Sequence, residues 1–77
     1  MEVLNDGAPP HFMARFEAFV HKSGLGARHE EGWLTVTWNT SLGLASALID
    51  GKRTVAATSP EELFAAVLQV LHGSTET

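Results

Sequence analysis

Residues 32–50 read GWLTVTWNTSLGLASALID, and no Asp, Glu, Lys or Arg occurs between Gly32 and Ile49. The stretch decides the fold because its first half repeats with a period of two. Trp33, Thr35 and Thr37 alternate with Leu34, Val36 and Trp38, and the β-branched and aromatic content favours a strand. Asn39–Gly43 reads as a hairpin loop of a few residues, Leu44–Ile49 as a second strand, and Asp50-Gly51 as a tight turn of the kind that joins antiparallel neighbours. Residues 53–58, RTVAAT, fit a short third strand, and local sequence leaves them undecided.

Helical patterns flank this hairpin. At 100° per residue, Phe12, Met13, Phe16, Phe19 and Val20 fall within an arc of roughly 120°, with Arg15, Glu17, His21 and Lys22 outside it. This predicts an amphipathic helix over residues 10–23, stopped by Gly24 and Gly26. A second helix follows Ser59. That serine is a candidate N-cap, Pro60 takes the first helical position, Glu62 completes a capping-box spacing, and Gly73 marks the exit. Its apolar positions, Leu63, Phe64, Val67, Leu68, Val70 and Leu71, span an arc of about 160°, more than one contact needs. Residues 1–9, with a turn at Asn5-Asp6-Gly7 and a Pro-Pro pair, are expected to form a flexible leader, residues 10–73 a single domain, and residues 74–77 a polar tail.

The expected architecture is an α+β two-layer sandwich of order α-β-β-(β)-α, a small antiparallel meander with both helices on one face. Leu34, Val36, Trp38, Leu44, Leu48 and Val55 are assigned to the helix side. Trp33, Thr35, Thr37, Ala45, Ala47, Ile49 and Ala56 are assigned to the outer side. A solvated sheet face normally alternates toward charged and strongly polar residues, and this one does not.

Composition narrows the function classes. With 77 residues, 44% of them hydrophobic and 18% charged, the chain supports one folded domain with a thin core. It has no cysteine, which removes disulfides and thiolate metal sites and fits a reducing compartment. A net charge of −4 with scattered basic residues argues against a general nucleic-acid footprint. The two tryptophans also point to opposite faces of their strand, so they form no joint stacking platform. The first twenty residues lack the basic start and apolar run of a signal peptide. The uncharged stretch is broken by Asn39, Thr40, Ser41 and two glycines, which is wrong for a membrane span. A cytoplasmic location is the expectation. Two lysines and one isoleucine among many Ala, Gly and Leu fit a GC-rich bacterial or phage genome.

Chemistry is sparse. His11, His21, His29 and His72 have no paired ligand spacing, and His29-Glu30-Glu31 is the nearest approach to a ligand cluster. Gly24-Leu25-Gly26 follows a helix and lacks the Lys-Ser or Lys-Thr of a phosphate loop. No nucleophile motif occurs, and the Glu61-Glu62 pair is explained by a helix N-terminus. The expectation is therefore a non-enzymatic protein with no catalytic residue, cofactor or metal.

These readings lead to a small protein–protein interaction module: an adaptor, inhibitor or chaperone-like subunit, expected to be a homodimer. Its expected partner-binding residues are Trp33, Thr35, Thr37, Ala47 and Ile49, with Glu30 and Glu31 as an acidic rim. Trp33 is the anchor, because tryptophan is enriched among hot spots. Burying ~500 Å² of apolar area at ~25 cal/mol per Å² offers on the order of 12 kcal/mol before association costs. The alternative is a small apolar-ligand binder with its pocket between Phe12, Phe16, Phe64 and the sheet.

Overall fold

A computed structural model describes residues 2–25 and 32–73. The chain order is β1 (Glu2–Asp6), α1 (Pro10–Ser23), β2 (Trp33–Asn39), β3 (Leu44–Ile49), β4 (Arg53–Ala57) and α2 (Pro60–Gly73). The four strands form one mixed sheet in the order β1-β2-β3-β4, with β1 parallel to β2 and the other neighbours antiparallel. The helices lie on one face, so the α+β sandwich expected from the sequence is what the chain forms. Residues 53–57 are the third strand of the meander.

Residues 2–6 are not a flexible leader. They add an edge strand whose Val3 pairs with Leu34 and whose Glu2 N–H donates to the Gly32 carbonyl at 3.0 Å. Local pattern hides this strand, because its two apolar residues are adjacent rather than alternating and its parallel partner lies beyond a helical crossover. Asn5 ends it: the side-chain Oδ1 accepts the Ala8 N–H at 2.8 Å, and Nδ2 donates to the Ala8 carbonyl at 3.3 Å. That exchange turns the chain into α1. There Pro9 precedes the helix and its carbonyl accepts the Met13 N–H at 3.1 Å.

Both helix ends follow their sequence signals. Gly24 closes α1 in the left-handed conformation at φ 71°, and the next residue, Leu25, is buried beneath it. At the start of α2, the Glu62 N–H donates to Ser59 Oγ and the Ser59 hydroxyl donates to Glu62 Oε1, both at 3.2 Å. The reciprocal bond runs through the hydroxyl rather than the backbone N–H of the usual box. Ser59→Ala is expected to cost about 1 kcal/mol in a urea denaturation series, with an unchanged fold.

The core lies between the helix pair and the sheet. Phe12, Met13, Phe16 and Val20 of α1 and Leu63 and Val67 of α2 are buried with Leu34, Val36, Ala45, Ala47 and Ile49. The broad apolar arc of α2 is divided between two neighbours. Leu63 and Val67 are fully buried, while Phe64 stacks on Phe19 of α1 at 5.7 Å and meets Phe16 edge-on at 6.3 Å. Arg15 and Glu61 pair across the two helices at an exposed position, where such a bridge contributes little.

The register corrects the assignment of β3. Leu34 pairs with Ile49, Val36 with Ala47 and Trp38 with Ala45, so Ala45, Ala47 and Ile49 face the helices and Leu44, Ser46 and Leu48 face away. Ala45 and Ala47 are fully buried and Ile49 is 4% exposed. The cause is parity. The loop places four residues, Thr40 to Gly43, between paired Asn39 and Leu44, and one residue more or fewer would send the other half of β3 inward. Small side chains on the covered face of β3 also suit the close passage of α2 over β3 and β4.

Candidate functional site

The outer face of the sheet is built from cross-strand rows. Leu4, Thr35, Leu48 and Thr54 form the middle row, flanked on one side by Glu2 and Trp33 and on the other by Asp6, Thr37, Ser46 and Ala56. Leu4 is 43% exposed, Trp33 45% and Leu48 37%. Three large apolar side chains thus stand close together, separated by threonine hydroxyls. The two central strands carry no charged side chain on this face, and among the described strand residues its acids, Glu2 and Asp6, lie on β1.

Trp33 is held by the β3–β4 turn. Its N–H donates to Asp50 Oδ1 at 2.8 Å, and its carbonyl accepts the Asp50 N–H at 2.9 Å. The turn is closed by the Lys52 N–H donating to the Ile49 carbonyl at 3.0 Å. Asp50 and Gly51 both have positive φ, 52° and 68°, the backbone that Asp-Gly supplies best in a tight hairpin. The indole lies against Gly51: a Cβ there would sit 3.2 Å from Trp33 Cζ2. The glycine therefore provides both the turn and the space for the ring. Trp38, five residues on, points to the opposite face and packs edge-on against Phe12 at 5.7 Å.

Of the expected partner-binding residues, the structure brings Trp33, Thr35 and Thr37 together on the outer face. Ala47 and Ile49 are core residues and leave the candidate set. Glu30 and Glu31 lie outside the described residues, as does His29. Sequence reading missed Leu4 and Leu48, which take the places expected for Ala47 and Ile49. The signal that finds Leu48 is the even loop of four residues, since it puts Leu48 opposite outward-facing Thr35.

In the region between Phe12, Phe16, Phe64 and the sheet the aromatic rings pack on one another. Phe12 and Phe16 are 4% and 0% exposed; Phe12 meets Trp38 at 5.7 Å and Phe16 meets Phe64 at 6.3 Å. A shallow groove of about 250 Å³ does lie at the end of the molecule, lined by Ile49, Asp50, Lys52, Arg53, Val70 and Leu71. It is smaller than the ~300–1,000 Å³ usual for small-molecule sites. Among the described residues no group of three or more His, Cys, Asp or Glu is placed to hold a metal ion. Among them, too, no helix is long and apolar enough to cross a membrane.

Comparison of the chain with protein-family models, with curated proteins and with solved structures finds no match.

Proposed function

We propose that the chain is a small non-enzymatic protein–protein interaction module, an adaptor, inhibitor or chaperone-like subunit, that works as a homodimer through the outer face of its sheet. The observation that carries this reading is the cluster of half-exposed Leu4, Trp33 and Leu48 on a face whose central strands bear no charge. Large exposed apolar side chains gathered on one face mark contact sites more often than singly scattered ones do. Trp33 has the properties of an anchor: large, half-exposed and already fixed in position by the Asp50-Gly51 turn, so little ordering is left for binding to impose. A second copy is the simplest partner, since twofold homodimers are the commonest soluble assemblies. A cysteine-free chain suits a reducing, cytoplasmic setting.

The size of the face sets the expected affinity. Four strands about 4.8 Å apart, with five or six residues rising ~3.3 Å each, make roughly 350 Å² in plan per copy. Two such faces bury roughly 700 Å² in plan, below the ~1,200–2,000 Å² of standard specific interfaces, so the dimer is expected to be weak and transient. Sedimentation equilibrium from micromolar to millimolar concentration tests it. A monomer–dimer equilibrium is expected, and a chain that stays monomeric throughout contradicts the homodimer.

A further inference from the structure

We infer that the two copies stack with their twofold axis parallel to the strands, so that Glu2 of each meets the Lys52 end of the other's β3–β4 turn. The inference rests on the self-association proposed above and fixes its orientation.

Two sheets stacked face to face by a twofold have two simple choices of axis. An axis along the strands exchanges the edges, laying β1 of one copy over β4 of the other, and keeps each residue at its level along the strand. An axis across the strands lays β1 over β1 and reverses the level. The two choices bring different charges together, and the cross-strand pairs say which.

Glu2 and Asp6 carry the acids of the outer face, at opposite ends of β1, and both are exposed. The axis across the strands, centred on the Leu4 row, would place Glu2 of one copy over Asp6 of the other, twice. Like charges so placed oppose assembly. The cation that shares this face, Lys52, lies at the far edge. Val3, Leu34, Ile49 and Arg53 are successive cross-strand partners, so Glu2, one residue earlier, is level with the turn that holds Asp50 and Lys52. Arg53, the partner of Ile49, lies on the helix side of the sheet, so Lys52 is the cation of this turn on the outer face, and Asp50 Oδ1 is already engaged by the Trp33 N–H. With the axis along the strands, each Glu2 therefore meets the Lys52 ammonium of the other copy's turn, and Asp6 faces neutral Ala56.

The same orientation suits the side-chain sizes. Leu48 of one copy lies over Thr35 of the other and Leu4 over Thr54, large on small, within the ~30° tilt that sheet twist imposes on stacked sheets. Stacked sheets stand ~10 Å apart, a gap that an extended glutamate and lysine together span. Such a rim pair chiefly sets orientation, and it adds modestly to affinity.

Charge reversal tests the inference. Dissociation constants are measured by sedimentation equilibrium at low ionic strength for the wild type, Glu2→Lys, Lys52→Glu and the double variant. All four should give the same circular dichroism, because both residues are exposed. Each single reversal is expected to weaken the dimer about three- to tenfold, and the double variant to return to within about twofold of the wild type. The axis across the strands predicts the reverse for Glu2→Lys, which would then face Asp6 and tighten the dimer. Tightening by Glu2→Lys, no effect of either single reversal, or a double variant that fails to recover each overturns this orientation. A wild type that does not dimerise, or a Trp33→Ala dimer as tight as the wild type, instead brings down the reading of the face on which the inference stands.

Discussion

Phe16→Ala is expected to lose about 3–5 kcal/mol of stability, the cost of deleting a large buried aromatic from a packed site. Phe16 is fully buried, and its ring meets Phe64 edge-on at 6.3 Å, so it joins α1 to α2. The loss is large against the total. At 0.05–0.15 kcal/mol per residue, a domain of this size holds roughly 4–11 kcal/mol. Thermal denaturation followed at 222 nm should show the midpoint falling by roughly 12–40 °C, because about 1 kcal/mol moves a small domain by 4–8 °C. A shift of only a few degrees would mean that the helix pair does not depend on this aromatic contact.

Trp33→Ala should behave in the opposite way. The indole is 45% exposed and touches the β3–β4 turn at Gly51 rather than the core, so the isolated chain should lose no more than about 1 kcal/mol. Self-association should suffer far more. Removing a hot-spot tryptophan costs 2 kcal/mol or more, which is about a thirtyfold rise in the dissociation constant. Native mass spectrometry and sedimentation would register the loss of dimer while the helical circular dichroism persists. Should stability itself fall by 3–5 kcal/mol, Trp33 is acting as a core residue and the interface argument fails with it.

The contrast between these two aromatics was legible in the sequence, because each sits in a periodic element. The helices announced themselves through 3.6-residue periodicity and through caps at Gly24 and Ser59 that the structure retains. The alternation in WLTVTW separated Trp33 from Trp38. Two features were hidden for different physical reasons. β1 gains its stability from a parallel neighbour some thirty residues away, so five residues containing Glu2 and Asp6 gave no local sign of it. The inward face of β3 was misassigned because leucine outranks alanine in hydrophobicity, whereas loop parity and the passage of α2 decide which side is covered. The candidate site was accordingly half legible: the outward position of Trp33 was read from the alternation, and its apolar neighbours Leu4 and Leu48 emerged only with the register.

The account stands on the outer face of the sheet being covered when the protein assembles, and Trp33 can report this directly. In a Trp38→Phe background Trp33 is the sole tryptophan emitter, and its quenching by acrylamide can be followed as protein concentration rises from micromolar to millimolar. Quenching is expected to fall along the same curve as dimer formation, reaching that of a shielded indole. Quenching that stays at the level of a half-exposed ring at every concentration would contradict it.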